Sequence, residues 1–386
     1  MTVSTNALRV MTVFGTRPDT IKMAPVVRAL AAARPHVEPI VCVTAQHRKM
    51  LDDLLRLFAI EPDYDLDVMR PDQSLTGITT RVLEGMEGVL ADARPDVVLV
   101  HGDTSTSTAA ALAAFYQRIP VGHVEAGLRT STRWEPFPEE MNRRLTGRIA
   151  AYHFSPTSGA RDNLLRENVD PADVFVTGNT VIDAFLETAA LEFDAPPAEW
   201  AGLDPARPLI FVTAHRRENH DRMADICRAL ADIVALPARP QILWPVHPSP
   251  RVAGVALAML DGVEGITLVE PMAYDATVRS VRRATLVLSD SGGLQEEAPC
   301  LGKPVLVMRN ETERPEGIAA GTLELVGSDR TAIVTATRRL LEDEVAYARM
   351  AHANNPYGDG CASRRIVDWL LARLRGGNVP EEFRAA

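Results

Sequence analysis

Short apolar runs recur along the chain, each closed by small and polar residues and followed by a longer helical stretch. Leu8 to Phe14 is the first, ending in Gly15-Thr16-Arg17-Pro18-Asp19 ahead of a helix from about Thr20 to Ala33. Residues 39–43 form the second, closed by Thr44-Ala45-Gln46-His47-Arg48; after it come a helix, the segment 66–70 and a long helix near 75–93. Val97-Val98-Leu99-Val100 ends in His101-Gly102-Asp103, an alanine-rich helix spans Thr104 to about Gln117, and the next strand ends in His123-Val124-Glu125. Residues 151–154 and 174–177 read as further strands. Strands alternating with helices predict a parallel, doubly wound α/β sheet.

The pattern breaks around Gly178-Asn179-Thr180 and Ala195-Pro196-Pro197-Ala198, then restarts. Strands at 209–212, 241–246, 266–269, 286–288 and 305–307 end in polar clusters or lead into loops, which predicts a second α/β domain. The expected organisation is a Rossmann-like domain over 1–177 and a second over 178–365. A C-terminal helix and tail over 366–386 would pack on either domain, and the two sheets would face a central cleft, a preferred ligand location.

Composition narrows the function classes. With 386 residues there is room for two cores, and 46% hydrophobic with 24% charged residues is ordinary for a globular protein. A net charge of −10 argues against general nucleic-acid or acidic-membrane binding. No apolar run approaches the roughly 20 residues that span a bilayer. The N-terminus has no signal-type core and the four cysteines form no CxxC pair, so a cytoplasmic protein without a metal site is expected.

Candidate chemistry sits after the strands. Asp103 and Glu125 follow strand ends, and Glu139 lies in the Pro-rich turn Pro136-Phe137-Pro138-Glu139-Glu140. Ligands of open α/β sheets bind outside the carboxyl ends of the strands, where the first two would stand. Each has a plainer reading: Asp103 as a helix cap, and Glu139 or Glu140 as a first-turn carboxylate favoured by the helix dipole. Gly15 to Lys22 makes a strand–turn–helix anion site with Arg17 and Lys22 as cations, although the loop is neither a Walker nor a GxGxxG sequence. In the second half, Ser291, Gly292 and Gly293 open a helix whose backbone N–H groups would admit a phosphate, with Glu297 one turn on to accept from ribose hydroxyls. His215, in Ala-His-Arg-Arg-Glu-Asn, is either a site residue or a structural histidine bonded to backbone.

The strings GTRPDTIKMAPVV, TAQHRKMLD, VHGDTSTSTAAALAAFYQRIPVGHVEAGLRT, PFPEEMNRRLTG, VTGNTVIDA, TAHRREN, PVHPSP, DSGGLQEEAPCLGKPVLVMRNETERPEG and NPYGDG run in this order over nearly the whole chain. Together they closely resemble the bacterial non-hydrolysing UDP-N-acetylglucosamine 2-epimerases. The resemblance implies a GT-B-type fold, a homodimer, a UDP-sugar substrate, and interconversion of UDP-N-acetylglucosamine and UDP-N-acetylmannosamine without NAD or metal. It implies a route in which UDP is eliminated to leave 2-acetamidoglucal and then adds back. Asp103, Glu125, Glu139 and His215 match the family's catalytic positions. Arg17 and Lys22 match positions near the diphosphate; His247, Ser291, Gly292, Gly293, Glu297 and Arg314 match nucleotide-binding positions of the second, UDP-binding domain.

Some positions depart from the pattern. Many relatives have Glu where Asp19 stands, and some carry an aromatic residue that stacks on uracil where Thr277 stands. Gln46, His47 and Gln73 retain a second, allosteric nucleotide-sugar pocket described by the resemblance, but Asp72 stands where its arginine is expected. Weak or absent activation by substrate follows. Alternative activities on the same architecture are a hydrolysing relative that releases N-acetylmannosamine and UDP, and a GT-B-type glycosyltransferase.

Overall fold

A computed structural model gives the fold and describes residues 7–45, 48–70 and 73–385. The first sheet contains β1 (Leu8–Phe14), β2 (Val37–Val43), β3 (Tyr64–Asp65), β4 (Val97–His101), β5 (Val121–Val124), β6 (Tyr152–Ser155) and β7 (Val174–Val176). The second contains β8 (Leu209–Thr213), β9 (Gln241–Pro245), β10 (Ile266–Val269), β11 (Leu286–Ser289), β12 (Val305–Val307) and β13 (Leu323–Leu325). Strand order is β3-β2-β1-β4-β5-β6-β7 in one sheet and β10-β9-β8-β11-β12-β13 in the other, with parallel pairing throughout the described ladders. Each order reverses beside its first strand, between β1 and β4 and between β8 and β11. That is the switch point of a doubly wound sheet, where the strand-end loops part to leave room for a ligand.

Helices cover both faces of a parallel sheet, so its central strands are buried on both sides and read as unbroken apolar runs. Val97, Val98, Leu99 and Val100 of β4 are all fully buried, as are Ile210, Phe211 and Val212 of β8. The helix Ser105–Tyr116 packs through alanines; Ala109, Ala110, Ala111 and Ala114 are buried, and their short side chains let it lie close to the strands. β13 is absent from the sequence expectation because Leu-Glu-Leu is too short and too mixed to stand out from a loop.

The chain divides into two compact units, one reaching to Ala184 and resuming over Tyr357–Arg384, the other covering Phe185–Pro356. The terminal helix Ala362–Arg375 therefore belongs with the first sheet. Asp183 caps its N-terminus, accepting from Ala362 N at 3.2 Å and Ser363 N at 2.7 Å. Its Trp369 is buried edge-on against Tyr152 and Phe154 of β6, with ring centroids 5.2 and 5.4 Å apart. Beyond the helix, Phe383 N donates to Val176 O of β7 at 2.9 Å. Trp369→Ala is expected to destabilise the first unit by about 3–5 kcal/mol, because the ring leaves a cavity as well as lost contacts. Urea unfolding followed by near-ultraviolet circular dichroism measures this; a loss below about 1 kcal/mol would mean the terminal helix is not docked through this ring.

Candidate active site

The turn after β1 is shaped by a close approach. A Cβ on Gly15 would stand 1.9 Å from Thr44 Oγ1 at the end of β2, so only glycine lets these strand ends meet. The helix Arg17–Ala32 starts immediately afterwards, with Arg17 half-buried at its first position. Asp19 folds back to accept from Gly15 N at 3.3 Å, Thr16 N at 2.7 Å and the Thr16 hydroxyl. Burial pushes the Asp19 carboxyl up to about 6, even against these donors. Asp19 is thus part of the turn's framework. Lys22, one turn further, reaches across to Glu125.

Glu125 follows β5 with a φ of 62°, a left-handed backbone that costs a non-glycine residue about 1–3 kcal/mol and is commonest at functional sites. Its Oε1 accepts from Lys22 Nζ and from Asn179 Nδ2, the latter at 3.1 Å. Its Oε2 has His101 Nε2 at 3.6 Å. A Cβ on Gly102, itself at a φ of 59°, would stand 3.2 Å from that Oε2. Burial alone would raise the Glu125 pKa, but the Lys22 ammonium and the Asn179 hydrogen bond outweigh it and hold the carboxyl well below the usual range. His101 is buried and its pKa falls to about 4, so it stays neutral beside the ion pair. His123 is buried too, its pKa pushed down to about 3, and its Nε2 lies 2.7 Å from Gly102 O. In the neutral ring this Nε2–H braces the Gly102-Asp103 turn from below.

Asp103 is gripped from the helix Glu139–Ile149. Arg143 Nη2 donates to its carboxylate, and Asn142 Nδ2 donates to its carbonyl oxygen at 2.9 Å. Arg143 is held in turn by Glu140, which also accepts from Arg144 Nε at 2.6 Å and Thr130 N at 3.1 Å. Of the two adjacent glutamates in this turn, Glu140 is fully buried and serves the scaffold. Glu139 is half-buried at the helix's first position, and its carboxylate makes no hydrogen bond or ion pair with another described residue. Positions i, i+3 and i+4 share a helix face, which sets Glu139 in line with Asn142 and Arg143. The first unit therefore brings Lys22, Asp103 and Glu125 to neighbouring strand ends and puts Glu139 on the helix docked against Asp103. Gln46 and His47 lie outside the described residues. Gln73 Oε1 accepts from Arg81 Nη2 at 2.8 Å and Arg70 N at 3.2 Å.

In the second unit, His215 follows β8, and Asp290 follows the adjacent β11. His215 Nδ1 is 3.3 Å from Asp290 Oδ1, and its ring stacks on His247 at 5.9 Å between centroids. Burial lowers the His215 pKa, with Asp290 opposing. His247 is exposed, and its Nδ1 accepts from Ser249 N at 3.1 Å, which leaves its Nε2 side open. Ser291 N donates to Ser289 Oγ at 2.9 Å, and the short helix Gly292–Glu297 begins there. A Cβ on Gly292 would lie 3.4 Å from Arg216 Nη2 and 3.5 Å from Arg314 Cζ, so two guanidiniums flank this glycine. Arg314 is fixed by Glu296, with Nε to Oε1 at 2.8 Å. Gly293 lies beside the Glu297 carboxylate, which is 3.6 Å from where its Cβ would be. Thr277 lies on the helix Tyr274–Arg283 and returns its hydroxyl to Ala273 O at 2.9 Å. Among the described residues no group of three or more His, Cys, Asp or Glu is arranged to hold a metal ion.

Sequence reasoning missed Asn179, Asn142, Arg143, Asp290, Asn219 and Arg216. Asp290 carried a signal, as a carboxylate directly after an apolar strand, and so did Arg143, a helical turn after Glu139. Asn179 carried none that separates it from a turn asparagine.

The Lys22–Glu125 pair makes its own pH prediction. With a folded pKa below the unfolded one, ionised Glu125 contributes stability that is complete above the unfolded pKa and lost as pH falls through the folded value. Lys22→Met strands a buried carboxylate and reverses the sign, so the variant's deficit grows as pH rises from about 4 towards 8, reaching about 3 kcal/mol. Denaturant unfolding across this range checks it. A deficit that does not change with pH would show that Glu125 draws its stabilisation from elsewhere.

Comparison with known proteins places the chain in a family. The profile of the UDP-N-acetylglucosamine 2-epimerase family matches residues 29–371. The UDP-N-acetylglucosamine 2-epimerase of Escherichia coli strain K12 is 55% identical over 370 residues, 94% of this chain and 98% of that one. The crystal structure of UDP-GlcNAc 2-epimerase from Neisseria meningitidis bound to UDP-GlcNAc is 46% identical, with a TM-score of 0.83 over 94% of this chain and 100% of that chain. The S. aureus MnaA–UDP co-structure is 42% identical with a TM-score of 0.85, over 98% of this chain and 100% of the other. The two parallel α/β sheets are those of a GT-B-type fold. By profile, identity over nearly its full length and fold, the chain belongs to the UDP-N-acetylglucosamine 2-epimerase family.

Proposed function

We propose that the protein interconverts UDP-N-acetylglucosamine and UDP-N-acetylmannosamine by eliminating UDP and adding it back, without releasing the sugar. The hydrogen on carbon 2 is not next to a carbonyl, so direct deprotonation is too costly. Elimination lowers the barrier: the bond from carbon 1 to the diphosphate oxygen breaks with its electron pair leaving on UDP. The carbon 2 hydrogen leaves as a proton to a base, and its bonding pair becomes the carbon 1–carbon 2 double bond of 2-acetamidoglucal. Protonation from the opposite face and return of UDP complete the inversion.

The observation that carries this reading is the pairing of unlike carboxylates on the first unit's strand ends. Glu125 is held ionised by Lys22 and Asn179 on Oε1, which makes it a weak base but a fixed negative charge, suited to an oxocarbenium-like transition state. Asp103, already paired with Arg143, adds to that field. Glu139 has no such partner among the described residues and is the carboxylate best suited to moving a proton. In the second unit, His247, Arg314 and the backbone of Ser291 to Gly293 are proposed to hold UDP, with Glu297 on the ribose. His215 serves as a proton relay at the leaving group, and Arg17 and Lys22 are proposed to meet the diphosphate from the first unit's sequence. A UDP-sugar ligand is supported by the N. meningitidis and S. aureus relatives, whose structures hold UDP-GlcNAc and UDP. A cytoplasmic homodimer is part of the same reading. All four cysteines are free, and Phe115, Tyr116 and Leu145 form exposed apolar surface on two packed helices of the first unit.

Proton NMR with UDP-N-acetylglucosamine in heavy water tests the reaction. UDP-N-acetylmannosamine carrying deuterium at carbon 2 is expected, and Glu139→Gln should slow that incorporation about 100-fold or more. Free N-acetylmannosamine with stoichiometric UDP would instead identify the hydrolysing reaction, and an unchanged substrate spectrum would remove the epimerase reading.

We also propose that substrate activation through a second pocket is weak or absent. Asp72 replaces the expected arginine, and the Gln73 acceptor is already used by Arg81 and Arg70. Initial rates against UDP-N-acetylglucosamine should follow a hyperbola. A strongly sigmoidal curve that Gln46→Ala abolishes would overturn this.

A further inference from the structure

The role given to His215 depends on which ring nitrogen carries its proton, and the structure names a residue that decides it. Asp290 is fully buried at the end of β11, beside the segment that follows β8, because Ser289 pairs in register with Thr213. Its two oxygens are used differently. Oδ2 accepts three hydrogen bonds, from His215 N at 2.8 Å, Arg216 N at 2.9 Å and Asn219 Nδ2 at 3.0 Å. Asn219 is anchored by a second bond to Met308 O at 2.9 Å, so this carboxylate cannot swing. Oδ1 is buried with no hydrogen bond of good geometry, and His215 Nδ1 lies 3.3 Å from it.

Closing the turn from His215 to Asn219 needs only Oδ2. Oδ1 remains, and a carboxylate oxygen can only accept. We propose that Asp290 is the positioning residue of His215, keeping the imidazole proton on Nδ1 so that Nε2 is presented as the acceptor. This inference rests on the proposed participation of His215 in the reaction. A proton taken up at Nε2 would then give an imidazolium whose Nδ1 side lies beside Oδ1, and the fixed negative charge there would stabilise it. The same logic of a buried carboxylate setting a histidine's tautomer operates in serine proteases, where the Asp→Asn change lowers turnover about 10,000-fold with the geometry intact.

Asp290→Asn separates positioning from scaffolding. The amide oxygen, in the place of Oδ2, retains the three donors that close the turn. The amide NH2 takes the place of Oδ1 and can only donate, so His215 must accept at Nδ1 and carry its proton on Nε2. The experiment is nitrogen-15 NMR of histidine-labelled full-length protein near pH 8, with UDP binding and turnover measured alongside. Expected is the Nδ1–H form of His215 in the wild type and the Nε2–H form in D290N. UDP affinity should stay within about twofold, and turnover should fall about 100-fold or more, with KM little changed. The Nε2–H form in the wild type would overturn the inference whether or not the variant folds. So would the same tautomer in both proteins, or a folded variant keeping more than about a tenth of its turnover. A wild-type protein with the expected tautomer but no epimerisation would remove the functional reading and leave the Asp290–His215 arrangement standing.

Discussion

A carboxylate withdrawn from water must be surrounded by donors, and that requirement shapes both units. Glu125 and Asp290 follow central strands of their sheets, where the walls are apolar and water is scarce. Each meets the requirement with one oxygen: Glu125 Oε1 takes Lys22 and Asn179, while Asp290 Oδ2 takes two backbone N–H groups and Asn219. In each case the second oxygen faces a histidine, at 3.6 Å for Glu125 and 3.3 Å for Asp290. Anchoring through one oxygen fixes the direction of the other, which is what positioned chemistry requires.

Parallel topology supplies the rest. Because every strand in a sheet runs the same way, the residues after β1, β4, β5 and β7 all leave the same edge. The segments that carry Lys22, Asp103, Glu125 and Asn179 are thereby brought to one edge of the sheet. Gly15 and Gly102 then remove the Cβ atoms that would hold these turns apart. The left-handed backbone at Glu125 is the local strain that remains, tolerated because its side chain is fixed by partners from two other elements.

The fold was legible because buried parallel strands leave unbroken apolar runs, and several such runs end in candidate site residues. Strand-end clusters alone pointed to Asp103 and Glu125, while His215 stood between a site and a structural reading until the family resemblance was added. What the sequence concealed were the partners. Asn179 is 54 positions from Glu125, Arg143 is 40 from Asp103, and Asp290 is 75 from His215. Local pattern carries no information about such pairings until the register of the sheet is known. The choice between Glu139 and Glu140 was hidden for a related reason. Adjacent residues on a helix point about 100° apart, and only the docked helix reveals which of them turns inward to Arg143, Arg144 and Thr130.

Depth also explains why one chain uses histidine in two ways. His101, His123 and His153 are buried across β4, β5 and β6, with His123 and His153 in register, and burial keeps all three neutral. Had they been charged, they would compete with Lys22 for Glu125 and weaken its field. Neutral, His123 serves as a rigid polar strut against Gly102 O. His215 is 36% exposed at its side chain, and its fully buried neighbour is a carboxylate rather than another histidine. A ring partly in water with a fixed anion behind it can gain and lose a proton. A ring sealed between strands cannot, and the role proposed for His215 rests on that difference in solvation.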